Sequence, residues 1–564
     1  MNYFSFLLLF TTLIFGQVNH PKDYFGLPLD IPMSLSGNFG ELRPNHFHAG
    51  FDLKTAGREG LEIHAVGDGF VSRIKVSPFG NGTAIYIDHP NGYTTVYCHL
   101  QKFVGEIAEK VKKAQYEKNS FEVELFFKPG ELLVKKAQTI ALSGNTGSSG
   151  GPHLHFEFRE TKTEKIINPL FFGYDQFLKD ANPPTISAVY VYPLEHSSAN
   201  HSKQPTLLSL SLQKDGTYLA TKVLANGKIG FGVTADDYDT TSGSKNGVYK
   251  MQSFLNGTPS FGFQMDTYSF DDMRYINAMI DYPKYLKTSL RVQKMFMNQP
   301  FALSLLKTDA TNGVLTVLPN MDYVYRLEIS DFFGNMKTVV IPIGFDNQTP
   351  IIENETIEAD YFIKVNRDSN FEKNNWSVFF PAGTFYENFK FNFDVKNDTL
   401  YLHNTNTPVH SNFTIIAQDL KYKEEERDKV YIADINSRGR LGYNYTTRKG
   451  AVFTAKVKSL GKYTLAKDTT KPVVTIAKSI EGKWINAQQQ LDLYISDSQS
   501  GIKTYNGYLN GVWALFEYDY KTKKITHHFD QGIVAEGAND LKIIVTDNVG
   551  NATTFETRFF RSQK

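Results

Sequence analysis

The chain has 564 residues, with 60 Lys+Arg against 59 Asp+Glu and a formal net charge of +1. That balance supplies no field for a general nucleic-acid binder, and the 41% hydrophobic content argues against global disorder. At about 150 residues per domain, the length predicts roughly three to four domains. The single cysteine, Cys98, excludes an intrachain disulfide and any Cys-based zinc cluster, so a metal would have to be held by His, Asp or Glu.

At the N-terminus, Phe4 to Phe15 is a mostly apolar run. It is too short to span a membrane comfortably and suits the core of a signal peptide over residues 1–16. No Lys or Arg precedes it and Ile14 is not a small residue, so a short uncleaved anchor is the alternative. Export is the expectation, with no transmembrane span after the signal region.

Residues 17–181 form the first domain. From Pro21 to Leu178 the chain is Gly-rich and alternating. Thr83–Asp88 reads as a strand, Pro90-Asn91-Gly92 as a tight turn and Tyr93–Cys98 as the return strand. Phe103–Lys118 is charged and reads as helix, and Phe121–Phe127 resumes strand-like alternation. Three Pro-centred junctions follow, at Asn182–Ile186, Gln348–Ile352 and Lys471–Val474, each setting proline before a β-branched run that opens a β-module.

These junctions divide the remainder into modules at 182–346, 347–468 and 469–564. The first and last share text. Val233-Thr234-Ala235-Asp236 precedes Gly243, Tyr249 and Leu255-Asn256-Gly257; Ile495-Ser496-Asp497 precedes Gly501, Tyr505 and Leu509-Asn510-Gly511. They close on Ile329–Asn335 and Val545–Asn551, each with Asp ahead of Gly-Asn. We read a duplicated immunoglobulin-like β-sandwich, with a β-rich middle module, including Val378–Gly383, that matches neither neighbour. The repeated aspartates are read as turn closers rather than calcium ligands. The fold class is therefore mainly β.

Chemistry concentrates in short segments of the first domain. In a strand, residues 48, 50 and 52 share a face, so His48 and Asp52 converge and Gly50 leaves room for a ligand. A hydrogen-bonded surface pair would explain those two residues equally well. In His153-Leu154-His155-Phe156-Glu157-Phe158 the polar residues face one way and the apolar ones the core. Two imidazoles on one buried face call for a metal or for hydrogen bonds. Glu157 is either an acceptor that orients a ligand or a strand-edge charge. Gly144–Pro152 reads as a flexible turn, and His99 ends the hairpin's return strand. His46 is read as a groove wall, His64 and His89 as turn or surface histidines, and Cys98 as a packed core residue.

Over about Ser34 to Arg159 these segments resemble the lysostaphin/LytM-like zinc metallopeptidases, family M23 of the peptidoglycan endopeptidases. The marks are His-x-x-x-Asp at His48 and Asp52, Tyr-x-His-Leu ending at Leu100, and Gly-Pro-His-Leu-His-Phe-Glu at residues 151–157, in that order. The resemblance implies an antiparallel β-sheet peptidase domain, a zinc ion held by His48, Asp52 and His155, and a catalytic pair, His99 and His153, whose roles it does not divide. It further implies an exported, periplasmic or cell-envelope endopeptidase acting on the peptide stems or crosslinks of peptidoglycan with metal-activated water. The alternative is a catalytically silent envelope protein that activates or scaffolds other cell-wall hydrolases; the discriminator is that all five site positions are filled with the expected residue types. Partners are the peptidoglycan peptide and envelope proteins met through the C-terminal modules, not nucleic acid. The chain departs from the family at Val134–Gln138, which lacks a common glycine, and at the longer stretch Gln101–Pro129, expected to form a lid or an extra groove wall. Asn38 and Asn45 stand where latent members place a metal-capping Asn; neither is favoured for that role.

Overall fold

The computed structural model describes residues 19–240, 243–347, 359–486, 488–529 and 532–562. Residues 1–16 and the Gln348–Ile352 junction lie outside the described residues. The described chain is mainly β, as expected. Among the described residues no helix is long and apolar enough to cross a membrane.

The first domain is built on an antiparallel sheet. Its strands run in the order Leu35–Gly37, Phe51–Lys54, His153–Glu160, Tyr93–Cys98, Ala84–Asp88, Gly69–Val76 and Val123–Phe126. Both faces are covered, so Tyr97 packs in the main core while Cys98 packs with Ala84, Tyr86 and Val96 on the other side. The predicted hairpin and helix form, the helix at Gly105–Lys118. Its buried residues Ile107, Val111, Ala114 and Gln115 recur at helical spacing on one face, and Asn119 ends it in a left-handed conformation. The long insertion extends the sheet's far edge through Val123–Phe126, three strands from Tyr93–Cys98. Ala137, in the segment that lacks the common glycine, takes φ 66°. The turn keeps its left-handed shape at a cost of about 1–2 kcal/mol.

The first module follows from Thr185–Pro193, directly after its prolines. Its apolar core is continuous with that of the first domain: Leu35, Phe39 and Phe47 share one cluster with Met251, Phe261 and Tyr268. Thr267–Tyr268 even adds a rung to the first domain's sheet, pairing with Ile166–Ile167. Residues 359–468 form a separate core between two five-stranded sheets, and the last module is a sandwich of two four-stranded sheets. Two turn features recur in the first and last modules. Both Asn-Gly pairs sit at hairpin tips with positive φ, Asn256 at 47° and Gly257 at 85°, Asn510 at 52° and Gly511 at 81°. Both closing turns are tied by aspartate, with Asp331 Oδ1 accepting from Asn335 N (2.9 Å) and Asp547 Oδ1 from Asn551 N (2.7 Å).

Candidate active site

Strand register assembles the site. His155 lies directly opposite Asp52 on one neighbouring strand and Cys98 on the other. Cross-strand partners project to the same face, so His155 meets Asp52, and His99, one residue past Cys98, turns in beside them with φ 60°. His48 arrives differently from the expectation. The strand begins at Phe51, and His48 lies before it in a bend held by two backbone bonds, His48 N to Glu41 O and Gly40 N to His48 O, both 2.9 Å. Gly50 also serves another purpose than ligand room: a Cβ there would stand 2.2 Å from the Phe156 carbonyl oxygen. The glycine lets two backbones approach.

Three ligand atoms form a near-equilateral triangle. His48 Nε2, His155 Nδ1 and Asp52 Oδ1 are each 3.0 Å from the other two. Tetrahedral zinc with bonds of about 2.0–2.1 Å spaces its ligands at about 3.3 Å, so the set fits that ion closely. All three residues are buried.

The outer partners decide which nitrogens face inward. His48 Nδ1 lies 2.7 Å from the Asn38 carbonyl, which only accepts, so Nδ1 carries the proton and Nε2 turns a lone pair to the centre. His155 Nε2 donates to Glu157 Oε1 (2.9 Å), which leaves Nδ1 facing inward. Glu157 is 2% exposed, so it is no edge charge. Burial opposes its ionisation, yet Arg159 and the His155 hydrogen bond hold its carboxyl down at about 2. The second oxygen of Asp52 is taken by the Arg43 guanidinium at 3.0 Å, leaving Oδ1 to the centre. Burial opposes charge on Asp52 as well, but His48 and the hydrogen bonds from His153 and His155 keep its pKa well below the usual carboxylate range. Three acceptors thus converge and repel one another unless a positive charge lies between them. With no metal a proton does this work: burial disfavours the His155 imidazolium, but bonds to Asp52 and Glu157 lift its pKa to about 9.

His99 and His153 flank the triangle, their rings 4.9 Å apart. Each fixes Nδ1 on a backbone carbonyl, His99 on Thr146 (2.9 Å) and His153 on Gly151 (2.8 Å). Both Nε2 atoms are thereby free of their own proton in the neutral ring. Burial, then the neighbouring His155 and His153, push His99 down to about 3, so it is a neutral imidazole at physiological pH. His153 Nε2 is 3.3 Å from Asp52 Oδ1.

The glycine loop ahead of His153 is packed at Gly144 and Gly147 and open at Gly150 and Gly151. Gly147 and Gly82 touch so closely that a Cβ on Gly147 would stand 2.4 Å from Gly82 N, and Ser148 N donates to Gly80 O (2.8 Å). The last module also reaches this loop: Lys521 Nζ donates to Ser149 O (3.1 Å) and to Asn145 O, and Tyr520 stacks near Phe79 at 4.9 Å.

Several expectations change. His64 and His89 are buried: His64 Nε2 meets Asp30 Oδ2 (2.9 Å), and His89 bridges Asp68 O and Thr95 Oγ1 (both 2.8 Å). Strand Glu62–His64 turns its last side chain inward, which single-residue reading misses. His46 is exposed, with Nδ1 on Pro44 O (2.9 Å). Asn45 Oδ1 accepts from Asn277 (3.0 Å), and the Asn38 side chain is turned to Gly247. Sequence reasoning missed Arg43, and it missed two residues of the first module. Tyr268 OH donates to the His48 carbonyl (2.5 Å), and Phe270 lies 4.5 Å from the Arg159 guanidinium. Their separation of more than a hundred positions from the residues they touch leaves no local signal.

Residues 46–116 match the model of peptidase family M23, and residues 360–468 match that of a Zu5-like domain. The chain is similar to a protein of Haemophilus influenzae described as an uncharacterized metalloprotease, 35% identical over 131 residues, 23% of this chain and 21% of that one. It is also similar to the peptidoglycan DD-endopeptidase ShyC of Vibrio cholerae, 33% identical over 143 residues, 24% of this chain and 27% of that one. The chain thus spans about a fifth to a quarter of the length of these relatives. Among solved structures, a zinc-containing peptidase from Vibrio cholerae aligns at 30% identity over 24% of this chain and 37% of that one, with a TM-score of 0.18. The family-model match and the curated similarities thus agree that the N-terminal domain of this chain is similar to peptidase family M23, the model matching over residues 46–116.

Proposed function

We propose that the chain is a zinc-dependent endopeptidase that hydrolyses peptide stems or crosslinks of bacterial peptidoglycan in the cell envelope. The observation that carries this reading is the triangle of His48 Nε2, Asp52 Oδ1 and His155 Nδ1, each 3.0 Å from the other two, with the far atoms of the three side chains held by Asn38, Arg43 and Glu157. Similarity to a peptidoglycan DD-endopeptidase supports the substrate class.

Zinc held by these three residues would supply Lewis-acid polarisation of the scissile carbonyl and acidify water beside it. The chain's own residues then handle protons and position. His99, neutral and anchored through Nδ1, offers Nε2 to take a proton from the attacking water. His153, anchored through Nδ1 on the Gly151 carbonyl and with Nε2 3.3 Å from Asp52 Oδ1, is the group placed to relay a proton to the leaving amine. Arg43 and Glu157 hold Asp52 and His155 in place. The last module, through Lys521 and Tyr520, restrains the loop that bears Gly151 and so sets access to His153.

Zinc content and digestion of purified sacculi, for the parent chain and His155→Ala, test the reading. The parent should hold one zinc and release muropeptides, and the variant should do neither. A parent that binds zinc yet releases nothing would support the silent envelope role instead. A parent that binds no zinc removes the enzyme reading altogether.

A further inference from the structure

Away from the His48 centre, two groups of three aspartates lie close together: Asp180, Asp237 and Asp331 in the first module, and Asp468, Asp497 and Asp547 in the last. They hold equivalent places in the repeat. One precedes the proline-led first strand, one sits at the end of the strand that pairs with it, and one opens the closing turn.

The two groups differ in how many buried oxygens stay unpaired. In the last module, N–H donors reach every carboxylate, Thr470 and Ser500 on Asp468, Gln499 and Gly501 on Asp497, Val549 and Asn551 on Asp547, and one oxygen, Asp497 Oδ2, is buried without a partner. In the first module, Asn335 caps Asp331, and Asn182 and Thr240 cap Asp180. Asp237, however, is 6% exposed and its Oδ1 is buried without a hydrogen-bond partner. Asn246 beside it is 3% exposed, and its carbonyl Oδ1 also lacks a donor while its amide points to Asp239. Turn closure accounts for Asp331 and leaves these two oxygens unexplained.

Unpaired buried oxygens are costly. Burial first, then Asp180 and Asp331, push the Asp237 carboxyl up to about 8. Asp180, Asp237 and Asp331 each present one oxygen, all within 4.8 Å of one another, about twice a calcium–oxygen bond of roughly 2.4 Å. Together with Asp239 and Asn246 they line a cavity of about 40 Å³, room for an ion and about two waters at roughly 10–15 Å³ each. The donors are oxygens alone, a set that suits a hard cation and offers zinc no nitrogen or sulfur.

We propose that Asp180, Asp237, Asp331 and Asn246, with Asp239, hold a calcium ion at the seam between the first module and the peptidase domain. Leu35, Asn38 and Phe39 of the peptidase domain line the same cavity. Gly247, next to Asn246, exchanges two bonds with the Asn38 side chain, Nδ2 to Gly247 O at 2.7 Å and Gly247 N to Oδ1 at 2.9 Å. The Asn38 carbonyl in turn accepts the Nδ1 proton of His48. The ion therefore braces the backbone that orients His48.

The test uses the zinc-loaded full chain in calcium-free buffer, titrated with calcium while thermal unfolding is followed. A second readout is luminescence of terbium excited through Tyr249, which lines the cavity. With a Kd on the order of 10⁻⁴ M, typical of extracellular calcium modules, about 5 mM calcium should raise Tm by roughly 5 °C. Asp237→Asn is isosteric and removes a like charge. It should cut terbium emission and the calcium response at least about tenfold, while matching or exceeding the parent's stability without calcium. Asn246→Ala should weaken the response in the same sense and stands in if Asp237→Asn does not fold. A parent with neither Tm shift nor emission overturns the proposal, as does an equal response to magnesium. A response that persists in both variants overturns the assignment and moves the ion to Asp468, Asp497 and Asp547.

Discussion

Glu157→Gln separates the orienting of His155 from mere support of the fold. Glu157 accepts from His155 through Oε1 and from Arg159 through Oε2, at 2.9 and 2.7 Å. A glutamine offers one carbonyl oxygen, so it can serve His155 or Arg159 and not both. If Arg159 keeps the oxygen, the amide hydrogens face the Nε2 proton of His155 and the ring loses the partner that turns Nδ1 inward. Loss of such an outer partner costs about 10–100-fold in metal affinity, or about 1.4–2.8 kcal/mol. One charge-assisted hydrogen bond disappears as well, at about 1.5–3 kcal/mol of stability, since Glu157 and Arg159 are 2% and 4% exposed. The assay is zinc competition against a chromophoric chelator, with calorimetry of the metal-free chain alongside. Zinc affinity within about threefold of the parent, in a variant that still unfolds cooperatively, would refute the orienting role and leave Glu157 as a partner for Arg159 alone.

Zinc affinity should depend on pH, because His155, with its pKa lifted to about 9, must lose a proton to bind metal. Apparent affinity should rise by about tenfold per pH unit between pH 6 and 8 and level off near 9; a flat profile would contradict the proton-for-metal exchange. In the metal-free chain the sign is reversed: the His155 imidazolium stabilises the fold fully below about pH 6.5, and that contribution is lost as pH rises through about 9. Gly50→Ala drives a Cβ to 2.2 Å from Phe156 O, so a strand must move; we expect a loss of over about 3 kcal/mol in chemical denaturation along with reduced zinc content. Tyr268→Phe removes the bond to the His48 carbonyl, which keeps its bond from Gly40 N. The cost should be about 0.5–1.5 kcal/mol, seen as a Tm lower by about 1–3 °C, and an unchanged Tm would show that the module does not support His48.

Much of the site was legible in local text. His153, His155 and Glu157 alternate along one strand, so their shared face follows from the two-residue period. The hairpin, the helix over Gly105–Lys118 and the Asn-Gly turns of the repeat were legible for the same reason: each depends on residues within a few positions of one another. Residue type alone also set the ligand chemistry, since a chain with one buried cysteine leaves only His and carboxylates for a metal.

Pairing across the sheet and contact between modules were decided by the tertiary structure. The meeting of His155 with Asp52 rests on strand register, and the role of Gly50 on a neighbouring carbonyl; both come from segments about a hundred residues apart. The protonation pattern of the triangle rests on Asn38, Glu157 and Arg43, whose partners are chosen by folding. A boundary at residue 181 is natural in the sequence, yet the apolar core and the rung at Tyr268 run across it. Local periodicity determines which face a side chain takes. Which face meets which, and hence which lone pairs and charges share one buried point, is settled only when distant strands close the core around them.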